Sequence, residues 1–265
     1  MKILIFGPER PKLSFEQDPE QGAIIRCDNE YVLEYDPRGP ITWRSTANEL
    51  RRIDPKRFEG DGPESTWISV IEILKDLCQT DTERIFLTKI AKEEEAWQWM
   101  QYPSGELNLP ARVEEWRTED RDQLFELVLN EPALIPQAWV NWIHYDQKDR
   151  KRAEKRHLQP FRVDFLRQGP TYEAVLKRIV VEIDDMSHIA DNGRTVRDSS
   201  KLSEAKPSLV KFTEHLRKDR WLRCHGWEVC RFSTLEVEKE KSDYLFLEMQ
   251  GGLHWIDPSY FPHNE

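Results

Sequence analysis

The sequence predicts an α/β or α+β layered fold with a central mixed sheet. Three observations lead there. Beyond about residue 115, helix-spaced apolar stretches and short β-branched runs follow in the order helix, strand, strand, strand, helix, strand, an order that calls for a sheet covered by helices. Before that point, one apolar strand, a hairpin pattern and three helical stretches make a smaller α+β arrangement. The composition, 38% apolar with ten tryptophans and eleven phenylalanines in 265 residues, supplies a sizeable core and excludes a disordered chain.

Taken in order, KILIF (2–6) reads as a strand. AIIRC (23–27) and YVLEY (31–35) read as a hairpin, with Asp28 and Asn29 supplying its turn chemistry. TANELRRI (46–53) is helical, and so is STWISVIEILKDLC (65–78), where Ser65 is the expected N-cap. DTERIFLTKIAKEEEAWQWM (81–100) makes a third helix with Ile85, Phe86, Ile90 and Trp97 near one side. In YPSGELNLPA (102–111) two prolines, a glycine and a serine break all periodicity, which marks a linker. The chain is therefore divided into an N-terminal module, 1–115, and a second domain, 116–265.

EDRDQLFELVLN (119–130) is a helix closed by Glu131-Pro132, and AWVNWIHYD (138–146) is a strand. The charged connection QKDRKRAEKRH (147–157) leads to the strands FRVDFL (161–166) and RIVVEID (178–184). SLVKFTEHLRKDRWLRCHG (208–226) is a helix that Gly226 ends, and WEVCRF (227–232) is the last strand, with Trp227 and Phe232 as core candidates.

Charge is uneven along the chain. The net charge of −10 argues against nucleic acid as a partner, yet residues 1–147 carry 17 Lys and Arg against 29 Asp and Glu, whereas residues 148–265 carry 22 against 20. Two units with different partners are implied. The four cysteines form no CxxC pair, so reduced thiols are expected rather than a zinc framework or a disulfide scaffold. The apolar run in MKILIFGPERP is too short for a secretory signal and no 18-residue apolar stretch follows, so a cytoplasmic chain without membrane contact is expected.

RIVVEIDDMSHIA (178–190) poses the functional question, because charge interrupts an interior strand. Side chains alternate along a strand, so Glu182 and Asp184 share one face while Asp185 belongs to the following loop. If FRVDFL pairs with RIVVEID across a turn near Gly169-Pro170, Asp164 approaches both. Carboxylates gathered in this way repel unless a cation or protons neutralise them, and oxygen ligands suit Mg²⁺ or Mn²⁺. The competing reading is a set of strand-end acids, each paired with a neighbour such as Arg162 or Arg178.

RVDFLR, VVEIDDMSH and KDRWLRCHGWEVCRFS, in that order, resemble the PD-(D/E)XK nuclease superfamily, and within it the branch similar to very-short-patch-repair endonucleases. PALIPQAWVNW is similar to the lead-in strand of that branch. The resemblance covers residues 120 to 235. It implies a restriction-endonuclease-like sheet flanked by helices, and Mg²⁺-dependent (or Mn²⁺-dependent) hydrolysis of phosphodiester bonds, with DNA as the expected nucleic acid. Asp164 and Glu182 then fall on the metal-binding acids. Asp184 stands where the superfamily carries a lysine, and an aspartate there can add a third ligand or support a second metal ion. His188 matches the branch's histidine, as general base or as a group that positions the scissile phosphate. Asp185 replaces a glycine of the pattern. Glu126 or Asp122 is the acid that some relatives carry on the preceding helix.

On the helix before the last strand, Lys211, His215 and Lys218 share a face, and Arg220 and Arg223 lie three apart. With Arg162 they are the expected phosphate contacts; the alternative is a solvated face on which Glu214 pairs Lys218. Asp219 is expected to tie its helix to the sheet through an arginine. A second functional class stays open: an inactive nuclease-fold module that binds nucleic acid or a protein. The acidic N-terminal module is a candidate surface for a protein partner, and cleavage of both strands of a duplex calls for a homodimer.

Overall fold

A computed structural model describes residues 2–18, 22–58, 60, 62–101, 118–140, 161–170, 176–185, 190–191 and 206–250. It is an α+β fold with a six-stranded mixed sheet flanked by helices. Eight strands are described: β1 Lys2–Ile5, β2 Leu13–Asp18, β3 Gly22–Cys27, β4 Val32–Tyr35, β5 Leu134–Val140, β6 Phe161–Pro170, β7 Leu176–Asp184 and β8 Glu228–Ser233. The helices are α1 Trp43–Ile53, α2 Pro63–Leu77, α3 Asp81–Gln101, α4 Thr118–Asn130, α5 Leu209–Cys224, α6 Thr234–Lys239 and α7 Ser242–Met249.

The sheet order is β4-β1-β5-β6-β7-β8, antiparallel except for the parallel pair β7 and β8. A parallel neighbour requires a crossover, and α5 lies in it. β2 and β3 form a separate two-stranded sheet. The expected hairpin of residues 23–27 with 31–35 is therefore corrected: β3 pairs β2, and β4 pairs β1. Asn29 explains the change. Its side chain accepts the Lys12 N–H at 2.7 Å and donates to the Arg10 carbonyl at 2.9 Å, which ties residues 27–29 back to 10–12. A second correction concerns α2, whose N-cap is Gly62 with Pro63 at the first position. The Ser65 hydroxyl donates back to the Gly62 carbonyl.

Residues on both sides of position 115 share this sheet and one hydrophobic core. The core joins Phe86 of α3 to Phe165 of β6 and Phe232 of β8, with ring centroids 5.4 and 5.2 Å apart. Beside it, Glu94 of α3 and Arg167 of β6 form a buried ion pair at 2.6 Å, and Arg167 also donates to the Pro132 carbonyl. A buried pair of this kind stabilises only with its other hydrogen bonds in place. Lys89 of α3 donates to the Val237 and Glu240 carbonyls at the end of α6, where a helix C-terminus favours a cation. Gly169 is needed at its position, since an added Cβ would lie 2.1 Å from Pro132 Cγ.

α5 begins at Ser208, whose hydroxyl accepts the Lys211 N–H, and the chain leaves it through Gly226 at φ +79°, as the sequence led us to expect. Trp227 is partly buried against the core and Phe232 fully so. Among the described residues no helix is long and apolar enough to cross a membrane. The linker 102–111 and the charged connection 147–157 lie outside the described residues.

Candidate functional site

β6 and β7 build the site. Their register, carried one residue beyond Phe165↔Val181, sets Asp164 opposite Glu182, and the backbone ladder ends at that step. The Asp164 carboxylate takes the place of the next ladder bond: Oδ2 accepts the Ile183 N–H at 2.7 Å. On the other side of β6, Gln137 of β5 stands opposite Asp164, between the pairs Pro136↔Phe165 and Ala138↔Val163. On the far side of β7, Arg231 of β8 faces Glu182. Four polar residues, Gln137, Asp164, Glu182 and Arg231, thus form one row across four strands.

Glu182 is only 5% exposed. Burial pushes its carboxyl up to about 7, the Lys218 ammonium opposes that rise, and the Asp164 carboxylate adds to it. Lys218 of α5 places Nζ 2.6 Å from Glu182 Oε1 and 2.8 Å from the Arg162 carbonyl. The ammonium thus compensates the charge of this buried oxygen. Lys218 is half-buried against the sheet and not on a solvated face. It delivers its charge into the acid pair.

Asp184 occupies a different place. Both its oxygens accept from Nη1 of Arg231, at 2.8 and 3.0 Å, and Nη2 of the same arginine lies 2.6 Å from Asp219 on α5. His215 Nδ1 stands 3.7 Å from Asp184. Asp219 ties helix to sheet through an arginine, as the sequence reading expected, and Asp184 belongs to that tie. Among the described residues no three His, Cys, Asp or Glu side chains gather closely enough to share an ion. The structure therefore brings Asp164 and Glu182 together and draws Asp184 away toward Arg231. Asp185 is half-buried just past β7, and His188 lies outside the described residues.

The fit to a divalent ion follows from the donor set. Asp164 and Glu182 suit a hard cation, being carboxylates opposed on neighbouring strands, one of them buried against an ammonium. Asp184, held on both oxygens by a guanidinium, does not fit as a third ligand.

The expected phosphate contacts separate in the same way. Arg162 is half-buried, donates to Gln79 Oε1 at 2.5 Å and lies over the Trp139 ring. Lys211 donates to the Ala190 carbonyl at 2.7 Å. Only Arg220 and Arg223 are exposed, on a helix that also exposes Leu209, Val210, Phe212 and Leu216. Glu126 pairs Arg44 at 2.7 Å on the surface. A cleft of about 290 Å³ between α2, α3 and α4, with Trp67 and Phe125 in its wall, includes none of the acids of the row.

Sequence reasoning missed Glu83 and Gln137. Glu83, buried in the first turn of α3, accepts the Gln79 N–H and the Gln137 side-chain amide on one oxygen, and burial raises its pKa. Nothing in the sequence separated it from an ordinary helix-start acid. Gln137 did leave a signal, as the one polar residue inside LIPQAWV, a strand buried at every position. No known family, curated protein or solved structure matches the chain.

Proposed function

We propose that the chain is a divalent-metal-dependent nuclease of the restriction-endonuclease-like type, in which Asp164 and Glu182 hold Mg²⁺ or Mn²⁺ and the product is a hydrolysed phosphodiester, with DNA the expected substrate. One observation carries the reading: two carboxylates oppose each other across β6 and β7 with a lysine ammonium 2.6 Å from one of them. An acid pair joined to a lysine is the chemistry that the resemblance calls for. At the position of the missing lysine the sequence offers only Asp184, and Lys218 supplies the ammonium from α5 instead.

The bound ion would supply Lewis-acid charge and lower the pKa of a water. The chain's own residues prepare the place for it. Asp164 is oriented by the Ile183 N–H. Glu182 is held away from solvent, which strengthens any charge interaction made there. The Lys218 ammonium, fixed by the Arg162 carbonyl, is set to stabilise negative charge developing on a phosphoryl group. Arg220 and Arg223 offer exposed positive charge for backbone phosphates.

The test is Mg²⁺-dependent cleavage of duplex DNA, single-stranded DNA and RNA by the wild-type chain and by Glu182→Ala. Loss of cleavage in the variant supports the reading, and equal cleavage removes it. A second reading, an inactive nuclease-fold module that binds nucleic acid or a protein, is favoured by one observation: Arg231 engages both oxygens of Asp184. Binding of nucleic acid by a wild-type chain that neither cleaves nor takes up Mn²⁺ would select it.

A further inference from the structure

Gln137 combines two unfavourable features at one residue. It has φ +53°, and no other non-glycine among the described residues has a positive φ. It is also fully buried, and its Oε1 meets no hydrogen-bond donor among the described residues. Its amide orientation is fixed. Nε2 donates to Glu83 Oε2 at 2.8 Å, an oxygen that also accepts the Gln79 N–H at 2.7 Å, so the partner there must be a donor and cannot be Oε1. Buried strain and an orphaned acceptor, opposite Asp164 in the register, mark a position built for a donor that the described residues do not provide.

We infer that Gln137 Oε1 accepts a hydrogen bond from a water carried by the divalent ion of Asp164 and Glu182, and that Glu83 is the positioning residue that holds the amide for it. The inference rests on the reading of those two acids as the ion's ligands. Hard divalent cations keep several waters when only one or two carboxylates bind them, and each such water needs acceptors. Groups that receive those hydrogen bonds fix the ligand geometry and raise affinity. Glu83 and Gln79 come from the α2–α3 junction, outside residues 120–235 that carry the resemblance, so the N-terminal half completes the site. The same junction also meets β6, where Arg162 donates to Gln79 Oε1.

The experiment is calorimetric titration of the full chain with Mn²⁺, alongside thermal melting, for wild type, Gln137→Met, Gln137→Gly, Glu83→Leu, Glu83→Gln and Asp164→Asn. Gln137→Gly relieves the positive φ, which offsets part of the cost of the lost side chain. In Glu83→Leu the Gln137 amide loses the acceptor that orients it, whereas in Glu83→Gln the new side-chain oxygen can still accept from both the Gln79 N–H and Gln137 Nε2. A roughly tenfold weaker Mn²⁺ affinity is expected in both Gln137 variants and in Glu83→Leu, with Glu83→Gln close to wild type and Gln137→Gly melting above Gln137→Met. Unchanged affinity in all three, with affinity lost in Asp164→Asn, overturns this inference alone. Asp164→Asn binding as wild type does, or no Mn²⁺ uptake by wild type, overturns it together with the ligand assignment.

Discussion

The Lys218 ammonium on α5 stands 2.6 Å from Oε1 of Glu182 on β7. A helix thereby places its positive charge inside a strand-borne acid pair, and this contact separates the two functional readings. In an inactive fold it is a simple ion pair. In a nuclease it competes with the metal for Glu182 and assists the chemistry.

Lys218→Met should therefore move binding and cleavage in opposite directions. Removing the ammonium frees Glu182 Oε1 and leaves a more negative site, so Mn²⁺ affinity is expected to be retained or to rise. Cleavage is expected to fall roughly 100-fold, the scale of losing a charge-stabilising donor. Calorimetry and a cleavage assay on one preparation check this. A parallel loss of both would contradict a role for Lys218 apart from holding Glu182.

Asp184 is expected to behave as a structural anchor. In Asp184→Asn, Mn²⁺ affinity should stay within about twofold of wild type while stability falls by about 1–3 kcal/mol, because Arg231 loses a half-buried partner. Arg231→Leu should cost at least as much, as it strands Asp184 and Asp219 together. Urea unfolding and Mn²⁺ titration measure the two quantities. A large loss of metal affinity with little change in stability would restore Asp184 as a ligand.

Stability without metal should fall as pH rises toward neutrality. The Glu182 carboxyl titrates near 7 when folded against an ordinary value of 4.5, so the folded chain holds an extra proton between those values. The contribution is full below about 4.5 and is lost as pH rises through about 7, a swing of roughly 3 kcal/mol. Glu94, also pushed to about 7 by burial despite Arg167, adds a slope of the same sign. Urea unfolding in chelator from pH 4.5 to 8 should thus show a smaller slope for Glu182→Gln than for wild type. Equal slopes would remove Glu182 as the titrating group.

Arg220 and Arg223 are the exposed members of the expected phosphate contacts. Changing both to Gln should weaken duplex binding for every sequence alike. It should also lower the salt dependence of binding by about 0.9 per lost contact in the slope of log K against log salt. Titrations at several salt concentrations decide this, and an unchanged slope would assign the pair to a solvated face.

The fold was more legible in the sequence than the site. Strands β6, β7 and β8 and helix α5 follow from apolar runs and Gly226, which are local signals. The pairing of β3 with β2 was hidden because it depends on Asn29 binding backbone seventeen and nineteen residues away. Alternation placed Asp164 beside Glu182 correctly, since a strand's period is fixed. It could not tell that Asp184, on the same face, would meet Arg231, because a periodic pattern says nothing about what an opposing helix or strand carries. The sharing of one sheet across residue 115 was hidden for the same reason: β1 meets β5 through the single pair Ile5↔Trp139.

The most direct measurement is a crystal of the full chain soaked in Mn²⁺ and recorded for anomalous scattering. The account expects one peak bonded to an oxygen of Asp164 and an oxygen of Glu182, at about 2.0–2.3 Å from each, with the Lys218 ammonium displaced from Oε1. A structure with no peak there and Lys218 still seated against Glu182 would contradict it.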